Sequence, residues 1–275
     1  MLAALICVVA VLAPGAAHAR DLVVYGEPTL EKALKSIGTL WQARTGTRVN
    51  VFVAPTDLSF AQIDRGARCD VIFALAGAAT EDAARRKVIH GETGRPVLRN
   101  GLALIGTEPD AGPAADATLA DISRLIVGKT IAIANPQRDT AGDRAVELLR
   151  RIGVVVDDSN KTVAVAESSA GVVSLLTTGK VRLGIVYATD AAGFKLVVPL
   201  AALNLAPIEY VVARARDPAS DTQPFLTFLQ SAEAKATFKS AGLLPIGDRG
   251  ALRRSPASDR IRAGGQLGSE DGSIH

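Results

Sequence analysis

Five short segments that each follow an apolar run, Gly26–Thr29, Ala54–Ser59, Leu75–Gly77, Asn135–Gly142 and Tyr187–Asp190, hold six hydroxyl side chains between them: Thr29, Thr56, Ser59, Thr140, Tyr187 and Thr189. Hydroxyls and the free N–H groups of a helix start are neutral donors, and together they can hold an oxyanion without a fixed counter-charge. The same segments carry Glu27, Asp57, Asp139 and Asp190. An ionised carboxylate has no proton to give, so these four oppose an anion. Two like unit charges about 4 Å apart repel by about 4 kcal/mol at an intermediate effective dielectric, enough to abolish useful affinity for a dianion. Glu27 and Asp57 instead suit a neutral or cationic solute, or a hard metal ion. Bland roles exist as well: Asp57 as cap of a helix beginning at Leu58, and Asp190 as cap of whatever follows Tyr187. Glu27 precedes Pro28, which keeps it extended and directs it either to solvent or to a ligand.

Covalent catalysis is poorly supplied. Beyond residue 19 the chain keeps one cysteine, Cys69, and two histidines, His90 and His275. None lies in the five segments, so a nucleophile–histidine pair is missing there, and a hydrolase or lyase would have to use Glu27 or Asp57 as general base. Cys69, beside Asp70 and before an apolar strand, reads as a small buried residue, and one thiol makes no internal disulfide.

The elements that must position these groups alternate as βα units, the mark of an α/β fold. Strands are expected at 22–25, 48–53, 70–76, 100–106, 130–135, 161–166, within 181–191, and at 207–214. Helices are expected from Thr29, as N-cap, to about Arg44, at 58–65, 80–87, 142–152 and 169–179, and as two segments within 222–243. Leu30, Ala33, Leu34, Ile37 and Trp41 fall on one face of the first of these. The chain is expected to go out and come back: a signal peptide at 1–19, a first lobe at 20–103, a second at 104–208, a return to the first at 209–246, and a disordered tail at 247–275. The signal rests on the apolar run Leu2–Ala13 and the Ala17-His18-Ala19 cleavage pattern. Charge is mixed, 31 basic and 28 acidic residues for a net +3, without the aromatic-interleaved basic stripe of a nucleic-acid binder.

Four stretches in order resemble the periplasmic molybdate-binding proteins and, more widely, the type II solute-binding proteins of ABC importers. They are "AQIDRGARCDVIFALA" (61–76), "IANPQRDTAGDRA" (133–145), "AESSAGVVSLL" (166–176) and "LGIVYATDA" (183–191). The resemblance spans about residues 22–246 and marks a divergent member. It implies a two-lobed fold, each lobe a mainly parallel sheet flanked by helices, with the ligand cleft between lobes. It further implies a monomer that binds a small oxyanion, molybdate- or tungstate-like, in the periplasm and hands it to an ABC permease without catalysis, cofactor or structural metal. The implied ligand contacts are Thr29, Thr56 or the neighbouring Asp57, the amides of Ala141 and Ser169, and Tyr187. Where the family has Ala-Ala-Ser-Leu and a Ser/Gly cluster, this chain has "GEPTL" and "APTDL". Glu27 thereby joins the candidate contacts. A periplasmic enzyme or a sensor on the same scaffold stays open beside transport.

Overall fold

The computed structural model describes residues 20–90, 96–108, 117–157, 161–219 and 222–246; the expected signal peptide (1–19) and tail (247–275) lie outside the described residues. From the start the chain lays down β1 (Leu22–Gly26), α1 (Glu31–Thr45), β2 (Val49–Val53), α2 (Thr56–Asp64), β3 (Val71–Leu75), α3 (Ala78–Arg85), β4 (Ile89–His90) and β5 (Leu98–Asn100). There follow β6 (Leu102–Gly106), α4 (Leu119–Ile126), β7 (Ile131–Ala134), α5 (Thr140–Arg151), β8 (Val163–Ala166), α6 (Ser169–Thr177), β9 (Leu183–Tyr187) and β10 (Leu196–Pro199). The chain then returns through β11 (Ile208–Ala215), α7 (Thr222–Phe228), α8 (Ala232–Ser240) and β12 (Leu244–Pro245).

Two sheets result. One runs β12-β5-β11-β3-β1-β2 with β4 beside β11, and the other runs β10-β6-β9-β7-β8. The expected parallel pairing holds in the βα core of each lobe, β3-β1-β2 and β9-β7-β8. It gives way where the chain crosses between lobes. There β11 runs antiparallel to β3 and β5, and β6 runs antiparallel to β9 and β10, because a strand returning from the other lobe arrives in the opposite sense. The run expected as one strand at 100–106 is two: β5 ends at Asn100 in the first sheet and β6 starts at Leu102 in the second. Gly101 between them turns its carbonyl to the Ala188 N–H at 2.8 Å.

Sequence chemistry explains the local forms. "LVVYG" is buried at every position, as the central strand of a parallel sheet must be. The helix α1 buries Ala33, Leu34, Ile37 and Trp41 on one stripe and stops at Gly46, which takes the left-handed conformation (φ 79°) and returns its N–H to Gln42. Thr29 is not its N-cap. Pro28 enters first, initiating a single 3-10 turn over Pro28–Leu30, so the cap position of α1 falls on Leu30 and the Thr29 hydroxyl points elsewhere. Trp41 then packs against Phe225 and Phe228 at centroid separations of 5.4 Å each, which seats the returning α7 on the first lobe. Cys69 is buried as expected, and burial, with the Asp70 charge, pushes its thiol up to about 12.

Asp70 closes this lobe. Its fully buried carboxylate accepts the N–H groups of Val23 (2.7 Å) and Ala219 (2.6 Å) and pairs with Arg20 and Arg68 at 3.2 Å. It joins the first strand to the segment that leads into α7. Asp70→Ala orphans both N–H groups while the more exposed arginines rehydrate, so it will cost about 3 kcal/mol in urea unfolding with an unchanged m value. A loss below about 0.5 kcal/mol would show that the carboxylate is not the clasp.

Candidate functional site

All five turns singled out by sequence, joined by the Ser168–Ala170 turn, converge on one cleft of about 570 Å³ between the lobes. Glu27, Thr29, Thr56, Asp57, Ser169 and Tyr187 line it, together with Asp139, Thr140, Arg138 and Asp190. Ala141 does not; it is fully buried behind Asp139. Ser59 also turns away, its hydroxyl donating to the Ala54 carbonyl at 3.2 Å.

The helix starts shape the cleft. At Gly142 an added Cβ would lie 2.3 Å from the Ala134 carbonyl oxygen, so only glycine lets the first turn of α5 press against the end of β7. Asp139 caps α5: its Oδ1 accepts the Ala141 N–H at 2.9 Å. Its Oδ2 accepts the Ser169 N–H, also at 2.9 Å, and so ties the start of α6 to the start of α5. Ser168 caps α6 by accepting the Gly171 N–H at 3.2 Å.

The first lobe repeats the pattern. Oε1 of Glu27 accepts the Thr56 N–H at 2.6 Å and the Thr56 hydroxyl at 2.5 Å, while the Thr56 Oγ accepts the Leu75 N–H at 2.8 Å. Glu27 therefore lines the cleft with a carboxylate that also holds the start of α2. Asp57 does not cap that helix, which begins one residue earlier with Pro55 at the cap position; Pro55 carries the entry because its fixed φ suits an extended cap, and Asp57 sits exposed in the first turn. Nor does Asp190 cap a helix. It accepts the Ser169 hydroxyl at 2.6 Å, a tie between two turns of the second lobe.

Burial sets the electrostatics. Desolvation raises the Glu27 carboxyl above its ordinary value, against the lowering effect of the Thr56 hydrogen bonds, and the charges of Asp57 and Asp139 add to the rise. Asp190 is raised for the same first reason, opposed by the Ser169 hydrogen bond and reinforced by Asp139. The Tyr187 hydroxyl stays protonated: burial first, and then the Asp139 charge, carry it far above the usual phenol range. Arg138 is the only lining cation among the described residues, and it pairs with Glu167 at 3.0 Å on the exposed rim. No three His, Cys, Asp or Glu side chains among the described residues meet as a metal ion requires.

Two contributors carry no sequence signal. Tyr210, from β11, meets the Thr29 hydroxyl at 2.9 Å, and the Asn100 amide reaches both Tyr210 (3.4 Å) and the Thr189 hydroxyl (3.1 Å). Asn100 follows Arg99 just before the apolar run Leu102–Gly106, and nothing in that stretch singles it out. Its partners lie about ninety and over one hundred residues away in sequence, at 89 and 110 positions, so no local pattern records them.

Comparison with known proteins agrees with the two-lobed fold. A family model described as bacterial extracellular solute-binding protein matches residues 22–244. The molybdate-binding protein ModA of Escherichia coli is 27% identical over 228 residues, covering 80% of this chain and 88% of its own length. Among solved structures, the Azotobacter vinelandii periplasmic molybdate-binding protein is similar at a TM-score of 0.67 and 20% identity, over 82% of this chain and 99% of that one. The tungstate ABC transporter of Geobacter sulfurreducens is similar at 0.58 and 14%, over 80% and 98%. At those identities the two structures bear on the fold alone.

A raised carboxyl makes a signed pH prediction. The stability attached to Glu27 is fully present below its unfolded-state pKa, near the ordinary 4.5, and is lost as the pH climbs through the higher folded value. Glu27→Gln keeps an acceptor for Thr56 and removes the charge. The variant will therefore gain stability relative to the wild type as the pH rises from about 4 to about 8, read by urea unfolding along that series. Parallel pH curves for the two proteins would refute the assignment.

Proposed function

This chain belongs to the bacterial extracellular solute-binding protein family, and we propose that it captures a small solute between its lobes in the periplasm, as a monomer, and delivers it to an ABC permease. The observation that carries this reading is the single cleft into which strand-to-helix turns of both sheets project, the place where open α/β folds hold ligands. Binding rather than turnover is supported by the relatives, which are binding proteins by name, and by a cleft lining that contains no histidine or cysteine among the described residues.

For the solute itself, an oxyanion of the molybdate or tungstate kind is supported by the names of the relatives. The groups that would serve it are the Thr29, Thr56 and Tyr187 hydroxyls and the amides of Ala141 and Ser169. That reading requires Glu27 and Asp139 to release the donors they hold. One observation favours a second reading: with those donors already engaged, a solute that itself carries N–H groups meets a ready set of acceptors.

Thermal unfolding in the presence of molybdate, tungstate, sulfate, phosphate, divalent cations and common metabolites tests the receptor reading. A true ligand at about one hundred times its Kd adds about 2.7 kcal/mol to stability and raises the melting temperature. Tyr187→Phe removes a hydroxyl at the cleft wall and should weaken that ligand by about tenfold, about 1.4 kcal/mol. A ligand whose affinity ignores this substitution binds somewhere else.

A further inference from the structure

Resting on the reading of the cleft as a solute site, the hydrogen bonds of the lining identify the kind of solute. Of the donors that could hold an oxyanion, Thr56 gives both its N–H (2.6 Å) and its hydroxyl (2.5 Å) to Glu27. Ala141 and Ser169 give their N–H groups to Asp139 at 2.9 Å each, and the Ser169 hydroxyl goes to Asp190 at 2.6 Å. The Tyr187 hydroxyl lies near enough to Asp139 for that charge to add to its upward shift. Thr29 is the exception, its hydroxyl sharing a hydrogen bond with Tyr210. One carboxylate from each lobe thus stands where a free anion would stand, tethered to the chain and satisfied by the donors that the anion would need.

We infer that Glu27 and Asp139 are resident anions of this cleft, and that it selects a small organic cation bearing ammonium or guanidinium N–H groups in place of a tetrahedral oxyanion. The charge inventory agrees. Four carboxylates line the cleft, Glu27, Asp57, Asp139 and Asp190, against one guanidinium, Arg138, which is already paired with Glu167. Asp57 lines the cleft and makes no hydrogen bond or ion pair among the described residues, so its carboxylate is free of protein donors. Each carboxylate has lone pairs beyond those its protein donors use, and a cation supplies the missing N–H groups and the missing charge together. Size agrees as well: about 570 Å³ falls in the range of organic ligand sites, and Pro28, Pro55, Leu75, Ala76 and Ala78 offer apolar wall to a carbon frame. Separately, burial raises the Glu27 and Asp190 carboxyls and the Asp139 charge adds to the rise in both, a cost that a bound cation relieves.

Isothermal titration of the full chain with putrescine, agmatine, methylguanidinium and molybdate tests this, on the wild type, Glu27→Gln, Asp57→Asn and the Glu27→Gln/Asp139→Asn double variant. Asp57→Asn breaks no internal hydrogen bond among the described residues, so it reads charge without risk to the fold, and circular dichroism checks the double variant. At least one of the three cations should bind the wild type and weaken tenfold or more in both single variants. Molybdate should give no heat with the wild type and measurable binding with the double variant, whose cradle has lost its resident charges. Tighter wild-type binding of molybdate than of every cation overturns the inference and leaves the receptor reading standing. Absence of binding by all three cations overturns it whatever molybdate does. If no protein in the set binds molybdate either, the solute-site reading of the cleft falls with it.

Discussion

A helix start leaves N–H groups that the helix cannot satisfy, and buried N–H groups must find acceptors. In this chain the starts of α2, α5 and α6 meet at one cleft, and the acceptors are two side-chain carboxylates, Glu27 and Asp139. Much else follows from that constraint. Asp139 can bridge α5 and α6 only because Gly142 lets α5 lie against the end of β7. Glu27 can reach Thr56 because Pro28 holds the preceding chain extended before the 3-10 turn begins. The carboxylates are thus structural to the cleft and chemical within it at the same time, which is why their charge is unavoidable for any solute that enters.

The cleft floor shows how the lobes are joined. The Thr29, Tyr210, Asn100 and Thr189 side chains form one hydrogen-bonded row from the first helix start, through both crossing segments, to the turn after β9. Gly101 hands the chain from one sheet to the other while its carbonyl holds Ala188. Tyr210 is fully buried, and desolvation, opposed by its hydrogen bonds to Thr29 and Asn100, pushes its hydroxyl up to about 12. It therefore works as a neutral donor and acceptor across the working pH range. Any solute that takes the Thr29 hydroxyl must reorganise this row, so occupancy and the relation of the lobes share one set of contacts.

How much was legible follows from the range of each interaction. Runs such as "LVVYG" and "LGIVY" and the apolar stripe of α1 are local, and the sequence placed those elements within a residue or two. The short strands β4, β10 and β12 and the helix α4 escaped because each is defined by a partner or by a cap rather than by a long apolar period. Misplaced caps have a common cause: Thr29, Asp57 and Asp190 have the right residue types for capping, but each stands beside a stronger local or tertiary constraint. Pro28 displaces Thr29, Pro55 displaces Asp57, and the Ser169 hydroxyl claims Asp190.

The sequence by itself determined the βα alternation, the return of the chain to its first lobe, and which turns carry hydroxyls and carboxylates, since these depend on periodicity and on residue types close in the chain. It could mark Glu27 as unusual and count Asp139 among the carboxylates of the turns, and no more. Only the tertiary structure decided what they do, because Thr56 lies 29 positions from Glu27 and Ser169 lies 30 from Asp139. A hydrogen bond depends on distance and direction in space, and those are set by the packing of two sheets and their helices rather than by any spacing along the chain.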